Sequence, residues 1–141
     1  MITGFTCGSF DLLHAGHVLM LREASGQCDK LVVGLQTDPS VDRKSKNAPI
    51  QSLEERYIQL EAVKYVDSVI VYETEEDLLS LIKELNPDVR ILGADHEGKE
   101  FTGHNLKIDN YFNSRDHSWS SSDLRRRIYL EEREKWNSTP P

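Results

Sequence analysis

The chain has 141 residues, 38% of them apolar, and a formal net charge of −7, enough to build one core and too little to require two. That acidic surplus excludes a general nucleic-acid binder, which needs an extended basic face, and no apolar window approaches the length of a membrane span. With no basic segment leading into a long apolar stretch at Met1-Ile2-Thr3-Gly4-Phe5, the expectation is a cytoplasmic protein without membrane or nucleic-acid partners.

In chain order, the apolar run Ile2 to Cys7 reads as a buried strand, and the three- and four-residue spacing from Gly16 to Ser25 as a helix. A second strand spans Leu31 to Leu35. Ser52-x-x-Glu55 is a capping box that opens a helix over Leu53 to Tyr65, and a third strand covers Ser68 to Tyr72. Thr74-x-x-Asp77 opens the helix Glu75 to Leu85, followed by the strand Val89 to Leu92 and a weaker one, Leu106 to Phe112. Ser120-x-x-Asp123 starts a last helix that runs to about Arg133. Strands apolar on both faces and alternating with helices predict a Rossmann-like, doubly wound α/β fold: a parallel sheet of about five strands, with helices on both faces and ligands at the strands' carboxyl ends. The domain is expected to occupy residues 1–135, with a flexible tail over 136–141. Cys7 and Cys28 lack Cys-x-x-Cys spacing and read as buried, reduced thiols.

Directly after the first strand stands Gly8-Ser9-Phe10-Asp11-Leu12-Leu13-His14-Ala15-Gly16-His17. Small residues there let the backbone approach an anion, and free N–H groups at a helix start point toward it. Two histidines three apart on the first helical turn face one ligand, and each imidazole can donate a hydrogen bond to phosphate oxygen. Zinc is the rival chemistry for His-x-x-His, but two further ligands at suitable spacing are missing, since His96, His104 and His117 are scattered in loops.

These residues resemble the signature of the cytidylyltransferase-like nucleotidyltransferases, and from about residue 3 to residue 128 the chain is similar to the bacterial glycerol-3-phosphate cytidylyltransferases. The resemblance implies transfer of CMP from CTP to a phosphorylated small alcohol, glycerol 3-phosphate first, with release of pyrophosphate, Mg²⁺ bridging the β- and γ-phosphates, and a homodimer. By the same resemblance Gly8, Ser9, Phe10, Asp11, His14, Gly16 and His17 bind the nucleotide, and Asp11 either touches the metal's shell or braces the loop. Lys44 and Lys46, in the basic stretch Arg43-Lys44-Ser45-Lys46, match two lysines that face the acceptor's phosphate and the triphosphate respectively; Asp38, just upstream, is assigned to the acceptor. Arg115 leads the hydroxyl-rich segment ending in Trp119-Ser120-Ser121-Ser122, a second anion cradle. His14, His17, Lys44, Lys46 and Arg115 form the implied catalytic set.

Other basic residues read as structural. Arg56 can pair within its own helix, and Arg125, Arg126 and Arg127 read as surface residues facing Glu131 and Glu132 or a subunit contact. In Gly93-Ala94-Asp95-His96, Asp95 can accept from an exocyclic amino group of the base, while Ala94 and His96 replace an acid and an aromatic of the family pattern. The helix Glu75 to Leu85 has no lysine where the family holds its acceptor: Leu78 falls near that position, and Lys83 is more than a turn away. Two alternatives stand beside cytidylyl transfer: an ATP-dependent adenylyltransferase acting on a sugar phosphate, FMN or phosphopantetheine, and a nucleotide sensor without turnover.

Overall fold

The computed structural model describes residues 1–138. Five strands, β1 (Thr3–Gly8), β2 (Lys30–Gln36), β3 (Ser68–Tyr72), β4 (Val89–Leu92) and β5 (Asp109–Phe112), pair in parallel in the order β3-β2-β1-β4-β5. The helices are α1 (Ala15–Ser25), α2 (Pro39–Asp42), α3 (Leu53–Glu61), α4 (Glu75–Leu85) and, after β5, α5 (Ser121–Ser138). Helices flank both faces of the sheet, as in Rossmann-like doubly wound proteins. The chain moves outward through β1, β2 and β3, then crosses back to lay β4 on the other side of β1. Strand order therefore reverses between β1 and β4, and a crevice opens at their carboxyl ends.

Two apolar clusters cover the sheet. One contains Leu21, Leu31, Val33, Leu35, Leu60 and Ile91; the other contains Phe5, Val32, Tyr72, Leu78 and Ile82. Val32 and Val33 serve opposite clusters, which is why β2 reads as an unbroken apolar run. At the amino ends of the strands, three aspartates tie neighbouring segments together. Asp29 accepts from Ile2 N–H (2.7 Å), Asp67 from Leu31 N–H (2.8 Å) and Asp88 from Thr3 N–H (2.8 Å). Tyr65-Val66-Asp67 thus serves the start of β3 and its tie to β2.

Several boundaries differ from the sequence reading. α3 stops at Glu61, short of Tyr65, because Val63 N–H bonds Leu60 C=O (3.2 Å) and Val66 N–H bonds Val63 C=O (3.0 Å). Those turns deliver Val63, Tyr65 and Val66 to the first core. β5 begins at Asp109 rather than Leu106; Leu106 and Ile108 earn their apolar character by packing on the second core from the preceding turns. α2 was not foreseen: Pro39 opens it and Asp38 caps it, accepting from Ser40 N–H (2.9 Å) and Ser40 Oγ–H (2.6 Å). α5 continues past Arg133 to Ser138, and the rest of the expected tail, 139–141, lies outside the described residues. Both cysteines are free thiols.

The loops that carry the site are joined by one side chain. Arg56, on α3, is 2% exposed and donates to four main-chain carbonyls: Gln51 (3.2 Å), Ser9 (3.0 Å), Gln36 (2.7 Å) and Thr37 (2.6 Å). It does not pair along its own helix. A guanidinium stays charged and presents five donors in a fixed fork, so it can satisfy carbonyls at the ends of β1 and β2 and at the start of α3 together. Replacing it leaves those oxygens buried without donors. Arg56→Met is expected to lower unfolding stability by about 3 kcal/mol, read as a reduced urea midpoint, whereas loss below about 0.5 kcal/mol would mean that water replaces the clamp.

Candidate active site

The loop between β1 and α1 is strained and braced. Phe10 and Leu12 have φ of 48° and 53°, a region that side-chain-bearing residues adopt at a cost. Asp11 stands between them, and its two oxygens accept from Ile50 N–H and Gln51 N–H, each at 2.9 Å. Gln51 Oε1 returns a bond by accepting from Leu12 N–H (2.8 Å), and Arg125 of α5 lies 3.7 Å from Asp11. Of the two roles read for Asp11 from sequence, the geometry displays the brace. Arg125 is therefore tied to the loop rather than to Glu131 or Glu132, and Arg127 pairs with Asp123 at 3.2 Å.

This brace presents the two histidines at the start of α1. His14 is the N-cap, and its Nδ1 accepts from Gly16 N–H (3.0 Å). His17 Nδ1 accepts from His14 N–H (3.2 Å), closing a capping box built from imidazoles in place of the usual hydroxyl and carboxylate. The rings stack with centroids 3.9 Å apart, and Phe10 packs against His17 at 5.5 Å. Since both Nδ1 atoms accept from backbone donors, each neutral ring carries its proton on Nε2. His14 Nε2 lies 3.1 Å from Ser121 Oγ in the first turn of α5. Two elements distant in sequence thus meet at one corner. Gly16 is required there: a Cβ would come within 2.9 Å of His14 Cε1 and 3.0 Å of His117 Cε1.

A cavity of about 280 Å³ opens from this corner, lined by His14, Gly16, His17, Gly93, Asp95, Arg115, Trp119, Ser120 and Ser121 among the residues expected from sequence. Met20, Ala94, Asn113, Ser114 and His117 complete it. His117 stacks on Trp119 at 5.2 Å, and Arg115 Nη2 donates to Trp119 C=O (3.3 Å). Glu23 fixes the far wall by accepting from Tyr111 Oη–H (2.8 Å) and Ser114 N–H (2.8 Å). A second cavity of about 950 Å³ shares Met20 and Gly93 with the first and extends over the ends of β1, β3 and β4 toward α4. Gly8, Ser9 and Lys46 line it, with Arg43, Arg90, Tyr72, Glu75 and the turns over Phe101 to Asn105.

Five expected site residues fall outside both linings. Phe10 and Asp11 are buried in the loop behind the histidines, Lys44 is an exposed turn residue, Ser122 is exposed beside the cradle, and the Asp38 carboxylate is engaged in capping α2. Arg43, which the sequence marked only as part of a basic cluster, lines the larger cavity, pairs with Glu75 at 3.0 Å and donates to Gln36 Oε1 (3.2 Å). Arg90 is 4% exposed at its floor, bonds Thr102 C=O and lies over the Phe101 ring at 5.1 Å. Among the described residues, no group of three or more His, Cys, Asp or Glu side chains is placed to hold a metal ion. A Mg²⁺ ion held by a protein cage does not fit this site; one arriving on a triphosphate needs no cage.

Burial, then repulsion from His14, drives the His17 pKa down to about 4, with Asp11 opposing. Burial also lowers that of His14, assisted by the charges of His117, Arg115 and Arg127. Both rings are neutral donors at pH 7. In NMR titration, His17 is expected to hold its Nε2–H form down to pH near 5 and to protonate at about 4. The unfolded ring takes up its proton near 6.5, so the unfolded state gains protons first, and stability declines as pH falls from about 6.5 to about 4. A His17 midpoint above 6 would contradict the buried capping box.

Residues 5–127 match the cytidylyltransferase-like family. The chain is 47% identical over 103 residues to the bifunctional protein HldE of Wolinella succinogenes, covering 72% of this chain and 22% of that one. To HldE of Mesorhizobium japonicum it is 48% identical over 94 residues, covering 66% and 19%. The chain therefore spans about a fifth of the length of these relatives. Among solved structures, it superposes on a lipopolysaccharide core biosynthesis protein from Thermoplasma volcanium with a TM-score of 0.60 at 26% identity, covering 94% of this chain and 89% of that one. A bifunctional NMN adenylyltransferase/ADP ribose pyrophosphatase from Francisella tularensis shares the fold, with a TM-score of 0.62 at 14% identity over 92% of this chain and 42% of that one. The HldE kinship overturns the expectation of a glycerol-3-phosphate cytidylyltransferase and, with it, of CTP and glycerol 3-phosphate as substrates. The physical reason is that the phosphate-binding motif is common to the family, while the acceptor side of this chain departs from the glycerol-phosphate pattern at Leu78 and along Ala94 to His96. With the histidine pair, the facing serine turn and the match over residues 5–127 together, the chain belongs to the cytidylyltransferase-like nucleotidyltransferases.

Proposed function

We propose that the protein is an ATP-dependent adenylyltransferase that acts on a sugar phosphate and releases pyrophosphate. The observation that carries this reading is the pair of adjoining cavities at the β1–β4 crevice, with the two Nε2 donors, Ser121 and Arg115 in the smaller one. The nucleotide occupies that smaller cavity and the acceptor the larger. Kinship with the HldE proteins supports adenylyl transfer to a sugar phosphate over the other substrates considered. Likeness to a protein of lipopolysaccharide core biosynthesis points the same way, since such a core is built from sugars. The larger cavity suits a polyol: Glu75, Glu100, Thr102, His104 and Asn105 offer hydroxyl partners, Arg43 and Lys46 offer charge, and aromatic surface for a flavin is limited to Tyr72 and Phe101.

In this mechanism an acceptor phosphate oxygen attacks the α-phosphorus in line as the bond to pyrophosphate breaks on the opposite side. The acceptor is nucleophilic at neutral pH, so the protein positions reactants and stabilises charge. His14 and His17 donate from Nε2 to oxygens that gain charge in the transition state. Arg115 and the free N–H groups of α5 hold the remaining oxygens, and Lys46 neutralises charge from the larger cavity. Mg²⁺ would arrive as part of the triphosphate substrate and offset its charge.

Pyrophosphate release should be at least about tenfold faster, as kcat/KM, with ATP and a hexose or heptose 1-phosphate than with CTP and glycerol 3-phosphate. No turnover with any sugar phosphate would overturn the acceptor assignment. His17→Ala should reduce kcat by roughly 100-fold or more with a far smaller change in nucleotide affinity; equal loss of both would make the ring a binding group only.

A further inference from the structure

One buried side-chain oxygen in the nucleotide cavity has no partner among the described residues. Asn113 is 7% exposed, and its Oδ1 accepts no hydrogen bond from any of them. Native proteins rarely leave such an oxygen unpaired unless something binds it. Its backbone is tightly held: Asn113 N–H donates to Leu92 C=O (2.9 Å), and Glu23 anchors Tyr111 and Ser114 on either side. None of these bonds uses the amide. Phosphates take the histidines and the α5 turn, which leaves the Gly93 to Asp95 wall, Asn113 and Ser114 for the nucleoside. Asp95, the partner suggested by sequence for the base, has a side chain 78% exposed and sits 3.6 Å from His96. A carboxylate in that much water discriminates weakly between bases.

We propose that Asn113 reads the base, its Oδ1 accepting from the exocyclic amino group of adenine while Nδ2 donates to N7. This rests on the nucleotide placement given under the proposed function. A carboxamide matches that edge because it offers one acceptor and one donor side by side. A 6-oxo purine presents an acceptor where Oδ1 needs a donor. The terminal torsion of asparagine is broad, so a small rotation turns the oxygen from the wall to the ligand.

Binding of ATP, of inosine triphosphate and of purine riboside triphosphate, which lacks a 6-substituent, is to be measured by calorimetry on the wild type, Asn113→Ala and Asn113→Ser, without acceptor. The wild type should prefer ATP to inosine triphosphate by about tenfold or more, with the unsubstituted purine between them. In both variants that preference should fall to within about twofold, through weaker ATP binding. Should the alanine variant fail to fold by circular dichroism, the serine variant decides. An undiminished preference for ATP in a folded variant would overturn the proposal, as would a wild type without preference. Parallel pyrophosphate assays with sugar phosphates keep the two readings separate: absent turnover strikes the reaction, while the base preference is judged by binding alone.

Discussion

Four carbonyl oxygens from the ends of two strands and the start of a helix converge on the guanidinium of Arg56, and the geometry of the crevice follows from that convergence. Left to itself, the stretch from Ser9 to Leu12 would relax from its positive φ values. Arg56 holds Ser9 from below, while Asp11 and Gln51 exchange bonds with the opposite loop. Buried charge–carbonyl bonds are each stronger than a neutral hydrogen bond, and several in parallel exceed the strain of two residues. The backbone is thereby committed before any ligand arrives, as a site that works by positioning requires.

The second commitment is electrostatic. Imidazolium charge is the simplest way to attract phosphate, yet burial and neighbouring positive groups keep His14 and His17 neutral. Protonation at Nδ1 would also break the bonds that orient the rings. The arrangement favours direction over charge: two donors point outward from a rigid box, and the cationic side chains, Arg115, Arg43 and Lys46, stand around the rims. Neutral donors need no proton uptake during turnover, and their bonds strengthen as negative charge develops on phosphate oxygen.

Much of this was legible in the sequence because the information is local. Capping boxes at Ser52 and Thr74, alternating apolar runs and the His14 to His17 spacing each occupy a few adjacent positions. What stayed hidden depends on partners far along the chain. Arg56 looked like a helix-surface residue since its partners are backbone atoms 5 to 47 positions away. Asn113 was not singled out from the sequence, and only burial reveals that its side-chain oxygen is idle. Arg43 received no role of its own, unlike Lys44 and Lys46, because only the fold brings Glu75 of α4 alongside it. Substrate choice failed for the same reason: the motif is shared across the family, whereas the larger cavity is assembled from α4, β4 and the turns beyond it.

The three aspartates at the strands' amino ends have a bearing on how such a protein can change. Asp29, Asp67 and Asp88 lock register at the edge of the sheet remote from the crevice. Alignment of the framework is thus guarded at one pole and reactivity displayed at the other. Lineages can rebuild the loops of the reactive pole for new cargo without unsettling the scaffold, a division of labour suited to diversification.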